Sequence, residues 1–291
     1  MNFVNQESTA KITGVAETLM ITLYARYWET KRDDGVIQDQ KAVEIVEKID
    51  YDFTKFASGW ASLLGSAIRA KRFDDRVSDF IKNHPNAVIV NLGSGLCTRF
   101  FRVNNGKVNW YEVDFPEVIE LRHKLISETD KYKFIGKSIF DFTWMDEIQR
   151  YLQSAMLTPG QPMLIIAEGV SMYLTKAQHL NLCKQIGDRF QNVEMIIDVV
   201  SPAFARNTQG HDTVSKTNAE FKWGIKKVAE LETWGLGIKI LDIDHYLTSF
   251  AQYPHRLQPF WLKYFIFILV PIFRNSSRIV HMQISANKII Q

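Results

Sequence analysis

The spacing of hydrophobic residues changes near residue 80. Before that point apolar side chains recur at steps of three and four, as in Val15, Leu19 and Leu23, which predicts helices from Thr9 to about Phe80. Beyond it, short apolar runs alternate with helical stretches. We therefore expect a helical leader of about 80 residues, followed by an α/β domain.

Seven apolar runs in the second part of the chain predict β-strands. They cover residues 87–92, 108–113, 132–135, 163–167, 194–200, 237–243 and 278–285. The first five alternate with helical patterns, one of which begins at Pro116 and another after the capping residue Thr175. Such alternation is typical of a doubly wound parallel sheet. A long excursion follows the fifth run, so the sheet should end in an antiparallel pair.

Small and polar residues follow the strands at one predicted edge of the sheet. Gly93 and Gly95 come directly after the first strand, where glycine lets a ligand approach the backbone. Asp114 ends the second strand, and its carboxylate can accept hydrogen bonds from ribose hydroxyls. Ser138 follows the third strand and Glu168 the fourth. Because ligands of such sheets bind outside the carboxyl ends of the strands, these residues predict a site for a nucleoside-containing cofactor.

Composition and charge narrow the class of protein. The 291 residues include 46% hydrophobic and 23% charged side chains, as expected of a globular protein with one large α/β domain or two smaller ones. The net charge of +3 is too small to predict nucleic-acid binding. Cys97 and Cys183 have neither disulfide nor metal-ligand spacing, and no secretory signal is recognisable. We therefore expect a cytoplasmic protein without a metal site.

Two segments of the second part are suited to covering a substrate. Residues 201–235 are largely polar and interrupt the strand pattern. Residues 260–273 are apolar, but the run is shorter than the roughly 20 residues of a membrane-spanning helix and contains Lys263 and Pro271. A packed helix or lid is the favoured interpretation of this run, and contact with a membrane surface is the alternative. The predicted organisation is a helical cap at 1–80 and an α/β domain at 81–291, with lid or substrate segments at about 201–235 and 250–275.

Six sequence blocks, in chain order, carry a resemblance to a known family. They are GVAETLMITLYAR, RAKRFDD, VNLGSGLCTRFFRV, WYEVDFPEVIELR, FDFTWM and AEGVSMYL. In these blocks the chain resembles the leucine carboxyl methyltransferase and tetracenomycin polyketide-type O-methyltransferase family. It is more similar to the bacterial small-molecule branch than to the branch that methylates a phosphatase C terminus. The resemblance implies a Rossmann-like class I methyltransferase fold, S-adenosylmethionine as cofactor and S-adenosylhomocysteine as product.

The resemblance also implies which residues hold the cofactor. Arg69 would hold its carboxylate, Gly93 and Gly95 would pass beneath its amino acid part, Asp114 would hold the ribose, Ser138 and Ile139 would lie beside the adenine, and Glu168 would contact the methionine portion. Two positions depart from the family pattern, because Cys97 and Ser138 stand where acidic residues are usual. Contacts to the adenine and to the amino acid part should therefore be weaker or mediated by water.

The chemistry expected of the site depends on the methyl acceptor. A carboxyl group with a pKa of about 4 is ionised at neutral pH and needs no general base. A hydroxyl acceptor needs one, and the candidates that the sequence offers are Tyr173 and His211. We expect O-methylation of a carboxylate or hydroxyl on a small molecule, such as a polyketide-like secondary metabolite.

Three alternatives stay open at this stage. The first is an NAD(P)-dependent oxidoreductase, against which the missing third glycine of a dinucleotide fingerprint and the long helical leader both count. The second is a catalytically silent protein that binds the cofactor. The third, within the family, is a methyltransferase acting on a protein C-terminal carboxyl group.

Overall fold

The computed structural model describes residues 6–154, 160–191, 193–207, 214, 217 and 219–285. The helices of these residues are α1 (Leu19–Thr30), α2 (Gln40–Lys48), α3 (Trp60–Asn83), α4 (Arg99–Val103), α5 (Pro116–Leu125), α6 (Thr143–Ser154), α7 (Lys176–Arg189), α8 (Pro202–Ala205) and α9 (Ile266–Phe273). The strands are β1 (Glu7–Ser8), β2 (Ile49–Asp50), β3 (Val88–Leu92), β4 (Asn109–Asp114), β5 (Tyr132–Gly136), β6 (Met163–Ala167), β7 (Val193–Val200), β8 (Ile238–Asp244) and β9 (Ser277–Ile284). Short 3₁₀ helices lie at Gly14–Thr18, Phe53–Phe56, Ser171–Tyr173, Val228–Trp234, Tyr246–Gln252, Pro254–Arg256 and Phe260–Tyr264.

Strands β3 to β9 form one seven-stranded sheet in the order β5-β4-β3-β6-β7-β9-β8. Neighbours among β3 to β7 run parallel, and β9 runs antiparallel to both β7 and β8. The predicted doubly wound α/β fold and its antiparallel end are therefore confirmed. The strand order reverses between β3 and β6. These two strands pair with each other, and Val88 of β3 lies opposite Met163 of β6. The carboxyl ends of these two strands mark the place where ligands of such sheets bind.

Alternate residues of the parallel strands enter two separate hydrophobic cores. Ile89 of β3 belongs to the core that contains Phe73 of α3. Its neighbour Val90 belongs to the core that contains Trp144 of α6. Every residue of β3 and β6 is buried. Burial on both faces of the sheet explains why these strands appear in the sequence as nearly continuous apolar runs.

The leader before the sheet is helical as predicted, with one exception. Helices α1, α2 and α3 account for most of it, and α3 ends at Asn83. Helices alone were expected from Thr9 onward, but Ile49–Asp50 forms β2 and pairs in parallel with β1. The cause is local, because the buried β-branched Ile49 takes an extended conformation where α2 ends.

Sequence signals fix the starts of the helices that flank the sheet. Thr175 and Gln178 form a reciprocal capping box at the start of α7, as the capping residue predicted. Pro116 occupies the first turn of α5, where its missing N–H costs nothing. These helices therefore begin where the sequence indicates.

The apolar run 260–273 is helical. The 3₁₀ helix Phe260–Tyr264 leads into α9, which contains Pro271. In the described part of the chain, none of the helices combines the length and the apolar character that crossing a bilayer requires.

Candidate active site

A cavity of about 1120 Å³ opens at the carboxyl ends of β3, β4 and β6. Eight of the nine residues that the sequence singled out line it: Arg69, Gly93, Gly95, Asp114, Ser138, Ile139, Glu168 and Tyr173. The ninth, His211, lies outside the described residues. The structure therefore brings to one cavity residues that come from α3, from four strand ends and from the 3₁₀ helix after β6.

The turn after β3 requires glycine for two reasons. Gly93 and Gly95 have φ angles of 61° and 50°, in the left-handed region that side chains disfavour. A Cβ atom at Gly93 would also lie 2.6 Å from Cγ2 of Val170, and one at Gly95 would lie 2.9 Å from Cβ of Leu19. The turn is therefore a bare stretch of backbone packed closely against its neighbours. It also carries Ser94, whose buried hydroxyl has no hydrogen-bond partner among the described residues.

Asp114 fastens this turn to the end of β4. Its Oδ2 accepts the backbone N–H of Gly95 at 2.6 Å, and its Oδ1 accepts the N–H of Phe115 at 2.7 Å. Burial raises the pKa of Asp114 to about 6, although the two N–H groups and Arg122 act in the opposite direction. A carboxylate with two lone pairs on each oxygen can accept further hydrogen bonds from a ligand.

Glu168 is held by two arginines at the other side of the cavity. Arg69 donates through Nε to Oε1 at 3.0 Å, and Arg99 donates through Nη2 to Oε2 at 2.5 Å. Burial alone would raise the pKa of Glu168, but these two cations lower it to about 2. A buried carboxylate after an apolar strand requires compensating partners, and the structure supplies arginines from α3 and α4.

Asp198 of β7 is a member of this network that the sequence analysis did not find. Its Oδ2 accepts a hydrogen bond from Nη1 of Arg69 at 3.0 Å, and its Oδ1 accepts the N–H of Gly169 at 2.7 Å. An aspartate between apolar residues, Ile197 and Val199, was the available signal, because a buried carboxylate requires a partner. Arg69 therefore lies in the cavity with its guanidinium already bound by two carboxylates.

Arg122 of α5 supports the glycine turn from the protein interior, and sequence reasoning missed it as well. It donates to the carbonyl oxygens of Gly95 at 2.8 Å and Cys97 at 2.7 Å. Its charge is balanced by Glu112 of β4 at 2.9 Å, which also accepts from Asn91 of β3 at 2.8 Å. This buried pair therefore ties together α5, two strands and the turn that carries the candidate site.

The remainder of the cavity is apolar. Its walls there include Phe204, Phe221, Leu247, Phe250, Leu257, Leu262, Ile266, Leu269, Val270 and Phe273. Tyr173 also lines the cavity, with its ring centroid 5.4 Å from that of Phe221. Burial raises the pKa of Tyr173 to about 12. The cavity therefore joins a polar part near the glycine turn to an apolar compartment built from the segments after β7.

The strand order, the glycine turn after β3 and the acidic residue that ends β4 together define a Rossmann-like protein with a site for a nucleoside-containing cofactor. A family model described as leucine carboxyl methyltransferase matches residues 19–187. The chain belongs to the leucine carboxyl methyltransferase family.

Two relatives support the membership of the chain in this family. The chain is 32% identical, over 235 residues, to the tetracenomycin polyketide synthesis O-methyltransferase TcmP of Streptomyces glaucescens, an alignment that covers 80% of this chain and 84% of that protein. It is 26% identical, over 264 residues, to the S-adenosyl-L-methionine-dependent methyltransferase dpfgK of Gibberella zeae, covering 83% of this chain and 85% of the relative. The chain thus aligns with these relatives over most of their length.

Solved structures share the fold. A DUF574 family protein from Streptomyces avermitilis superimposes with a TM-score of 0.57 at 11% identity, covering 92% of this chain and 97% of that one. A Thermobifida fusca protein ascribed to the methyltransferases gives a TM-score of 0.55 at 12% identity, covering 96% and 97%. At these identities the likeness concerns the fold alone.

Proposed function

We propose that this chain transfers a methyl group from S-adenosylmethionine to an oxygen atom of a small molecule, and that a carboxylate is the favoured acceptor. The observation that carries the proposal is the single cavity that joins the glycine turn and Asp114 to an apolar compartment. Such a cavity can enclose a polar cofactor and an apolar acceptor side by side.

The residues at the polar end fit the proposed cofactor. The left-handed glycines Gly93 and Gly95 form a floor without side chains, which a bound amino acid part can approach closely. Asp114 offers acceptors for the ribose hydroxyls, as the resemblance implies. We further propose that Ser138 and Ile139 lie beside the adenine, and that Arg69 and Glu168 bind the methionine portion. All of these residues line the same cavity.

When bound, S-adenosylmethionine supplies a methyl group on a positively charged sulfur, and the transfer leaves neutral S-adenosylhomocysteine and a methylated oxygen. The chain itself would hold both reactants in one cavity and keep water away from them. A carboxylate acceptor loses its negative charge on methylation and has no proton to release. A hydroxyl acceptor must give a proton to a base.

The titratable groups of the cavity favour the carboxylate. A tyrosine is protonated at neutral pH, and burial moves the pKa of Tyr173 further from neutrality, to about 12, so its hydroxyl can donate a hydrogen bond but does not serve as a base. Glu168 is engaged by two arginines. No histidine of the described ranges lines the cavity, and His211 lies outside them. The relative TcmP is an O-methyltransferase of tetracenomycin polyketide synthesis, which supports a small-molecule acceptor here.

The division of the chain and its location are part of the proposal. We propose a cap at residues 1–80 over an α/β domain at 81–291, with the segments 201–235 and 250–275 enclosing the acceptor. Leu19 of the first range, Phe221 and Phe250 all line the cavity, which supports this division. A cytoplasmic location is supported by two cysteines that are both free.

The test is a methyl-transfer assay with a tritium-labelled methyl group on S-adenosylmethionine. The acceptor panel consists of apolar carboxylic acids, phenols of the same size and a peptide with a free C-terminal leucine. Alkaline treatment separates the products, because a methyl ester releases labelled methanol and a phenolic ether does not. The proposal expects base-labile label on the carboxylic acids. Label confined to the peptide, or recovered on nitrogen or carbon, contradicts it.

A further inference from the structure

The segment 260–273 exposes a large apolar surface. We call the following side chains its outer face, with their exposed fractions: Phe260 (73%), Tyr264 (68%), Phe267 (70%), Ile268 (64%) and Ile272 (66%). Large apolar residues exposed elsewhere are scattered singly over the chain, as Trp28 and Leu241 illustrate. A contiguous patch of this kind marks a binding surface in a water-soluble fold.

The packing of the segment explains why the outer face is left without a partner. The opposite side of the same segment lines the cavity through Leu262, Ile266, Leu269, Val270 and Phe273. The segment therefore cannot turn its exposed side chains inward without emptying the apolar wall of the cavity. Phe267, Ile268 and Ile272 are not part of that wall.

Charge around the outer face selects its partner. Within residues 260–274 the charged side chains are Lys263 and Arg274, and this stretch contains neither Asp nor Glu. Lys263 and Arg274 bracket α9, and neither forms an ion pair with another described residue. Apolar side chains flanked by unpaired cations complement a surface of acyl chains with anionic headgroups.

The ring chemistry at the start of the segment points to the same partner. Trp261 and Tyr264 are both exposed, and the Lys263 ammonium lies 5.0 Å from the Tyr264 ring centroid. Tryptophan and tyrosine are enriched where a membrane meets water, since each combines an apolar ring with a polar atom. A second copy of this chain fits the outer face less well. Two outer faces in contact would bring Lys263 and Arg274 of both copies into one apolar interface, and this segment has no carboxylate to pair with them.

We propose that the outer face docks on the surface of a membrane that contains anionic lipid, with the aromatic and aliphatic side chains entering the headgroup boundary and Lys263 and Arg274 at lipid phosphates. The segment lies on the membrane and does not span it. This docking does not depend on which atom the enzyme methylates.

The test is flotation of the full-length protein with vesicles of phosphatidylcholine alone or mixed with phosphatidylglycerol. Wild type should bind the mixed vesicles more tightly. Phe267→Ser/Ile268→Ser should weaken binding to both vesicles at least about tenfold, and Lys263→Glu/Arg274→Glu should weaken binding to the mixed vesicles by about fivefold or more per charge. The matched controls, Trp28→Ser/Leu241→Ser and Lys239→Glu, should bind as wild type does.

Circular dichroism and S-adenosylhomocysteine binding show whether each variant is folded, independently of vesicles. The proposal is overturned if folded wild type floats with neither vesicle, or if the serine variant binds like wild type. It is also overturned if sedimentation shows a wild-type dimer that the serine variant converts to monomer, because the outer face is then an interface between copies. Loss of methyl transfer to every acceptor, with vesicle binding intact, would count against the proposed function alone.

Discussion

Asp114 and Gly95 are joined by a hydrogen bond of 2.6 Å from the glycine N–H to the Oδ2 of the carboxylate. The contact links the end of β4 to the turn after β3, the two neighbouring strands whose carboxyl ends border the cavity. It fixes the turn in its left-handed conformation and leaves further acceptor sites on the carboxylate. One residue thereby shapes the floor of the proposed cofactor site and forms part of its wall.

Asp114→Asn should weaken cofactor binding without unfolding the chain. The amide oxygen can still accept the Gly95 N–H, but the charge and one acceptor oxygen are lost. We expect the dissociation constant for S-adenosylhomocysteine to rise about 10- to 100-fold, as for the loss of hydrogen bonds to a charged group. Calorimetric titration measures this change. Glu120→Gln, which alters an exposed carboxylate paired with Lys11, is the control and should leave the constant unchanged.

Cofactor affinity should depend on pH through the same residue. Because burial raises the pKa of Asp114 to about 6, its carboxylate becomes protonated as the pH falls from 7 to 5. Affinity for S-adenosylhomocysteine should therefore fall about tenfold over this interval. The free energy of unfolding of the ligand-free chain should change in the opposite direction and be higher at pH 5 than at pH 7. A carboxyl group whose pKa is raised in the folded state stabilises the fold at low pH, and this contribution is lost as the pH rises through 6. Both trends should be absent from Asp114→Asn, and their persistence there would assign them to another group.

Gly93→Ala should destabilise the turn in a way that a second substitution partly repairs. The new Cβ meets Cγ2 of Val170 at 2.6 Å and also forces alanine into the left-handed region, which costs about 1–2 kcal/mol. Val170→Ala removes the close contact but not the backbone cost. Urea denaturation of both single variants and the double variant should give a favourable coupling of about 0.5–3 kcal/mol. Strictly additive effects would mean that Val170 does not restrict this turn.

Glu168→Gln should lower the stability of the whole domain. The substitution leaves Arg69 and Arg99 with less compensating charge in the interior, which typically costs about 3–5 kcal/mol. Since the pKa of Glu168 is lowered to about 2, its stabilisation is present above its ordinary pKa and is lost as the pH falls through about 2. Denaturation at neutral pH measures the effect.

Asp188→Asn is the control for that experiment, because its ion pair with Lys184 is exposed to solvent. Removing an exposed pair should change the free energy of unfolding by less than about 1 kcal/mol. Equal losses in the two variants would contradict a special role for the buried network.

The fold was predictable because its signals are local. Buried strands such as β3 and β6 appear as short apolar runs, Thr175 caps its helix, and the glycines after β3 mark a turn that other residues cannot form. The order of these signals along the chain was enough to predict an α/β sheet with an antiparallel end. The pairing of β2 with β1 was missed, because two residues give no periodicity to detect.

The partners within the site were not predictable in the same way. Arg122 reaches Gly95 across 27 positions of the chain, and Arg69 reaches Asp198 across 129. Which buried cation meets which carboxylate depends on how α3 and α5 pack against the sheet. The sequence shows only that charged residues stand in apolar surroundings and need partners.

Titration calorimetry of the wild-type chain with S-adenosylhomocysteine and, separately, with NAD⁺ tests whether the cavity is a site for S-adenosylmethionine. We expect binding of S-adenosylhomocysteine at one site, competition by S-adenosylmethionine, and no competition by NAD⁺. Absence of S-adenosylhomocysteine binding by the folded chain, or its displacement by NAD⁺, would contradict the assignment of the cavity to S-adenosylmethionine.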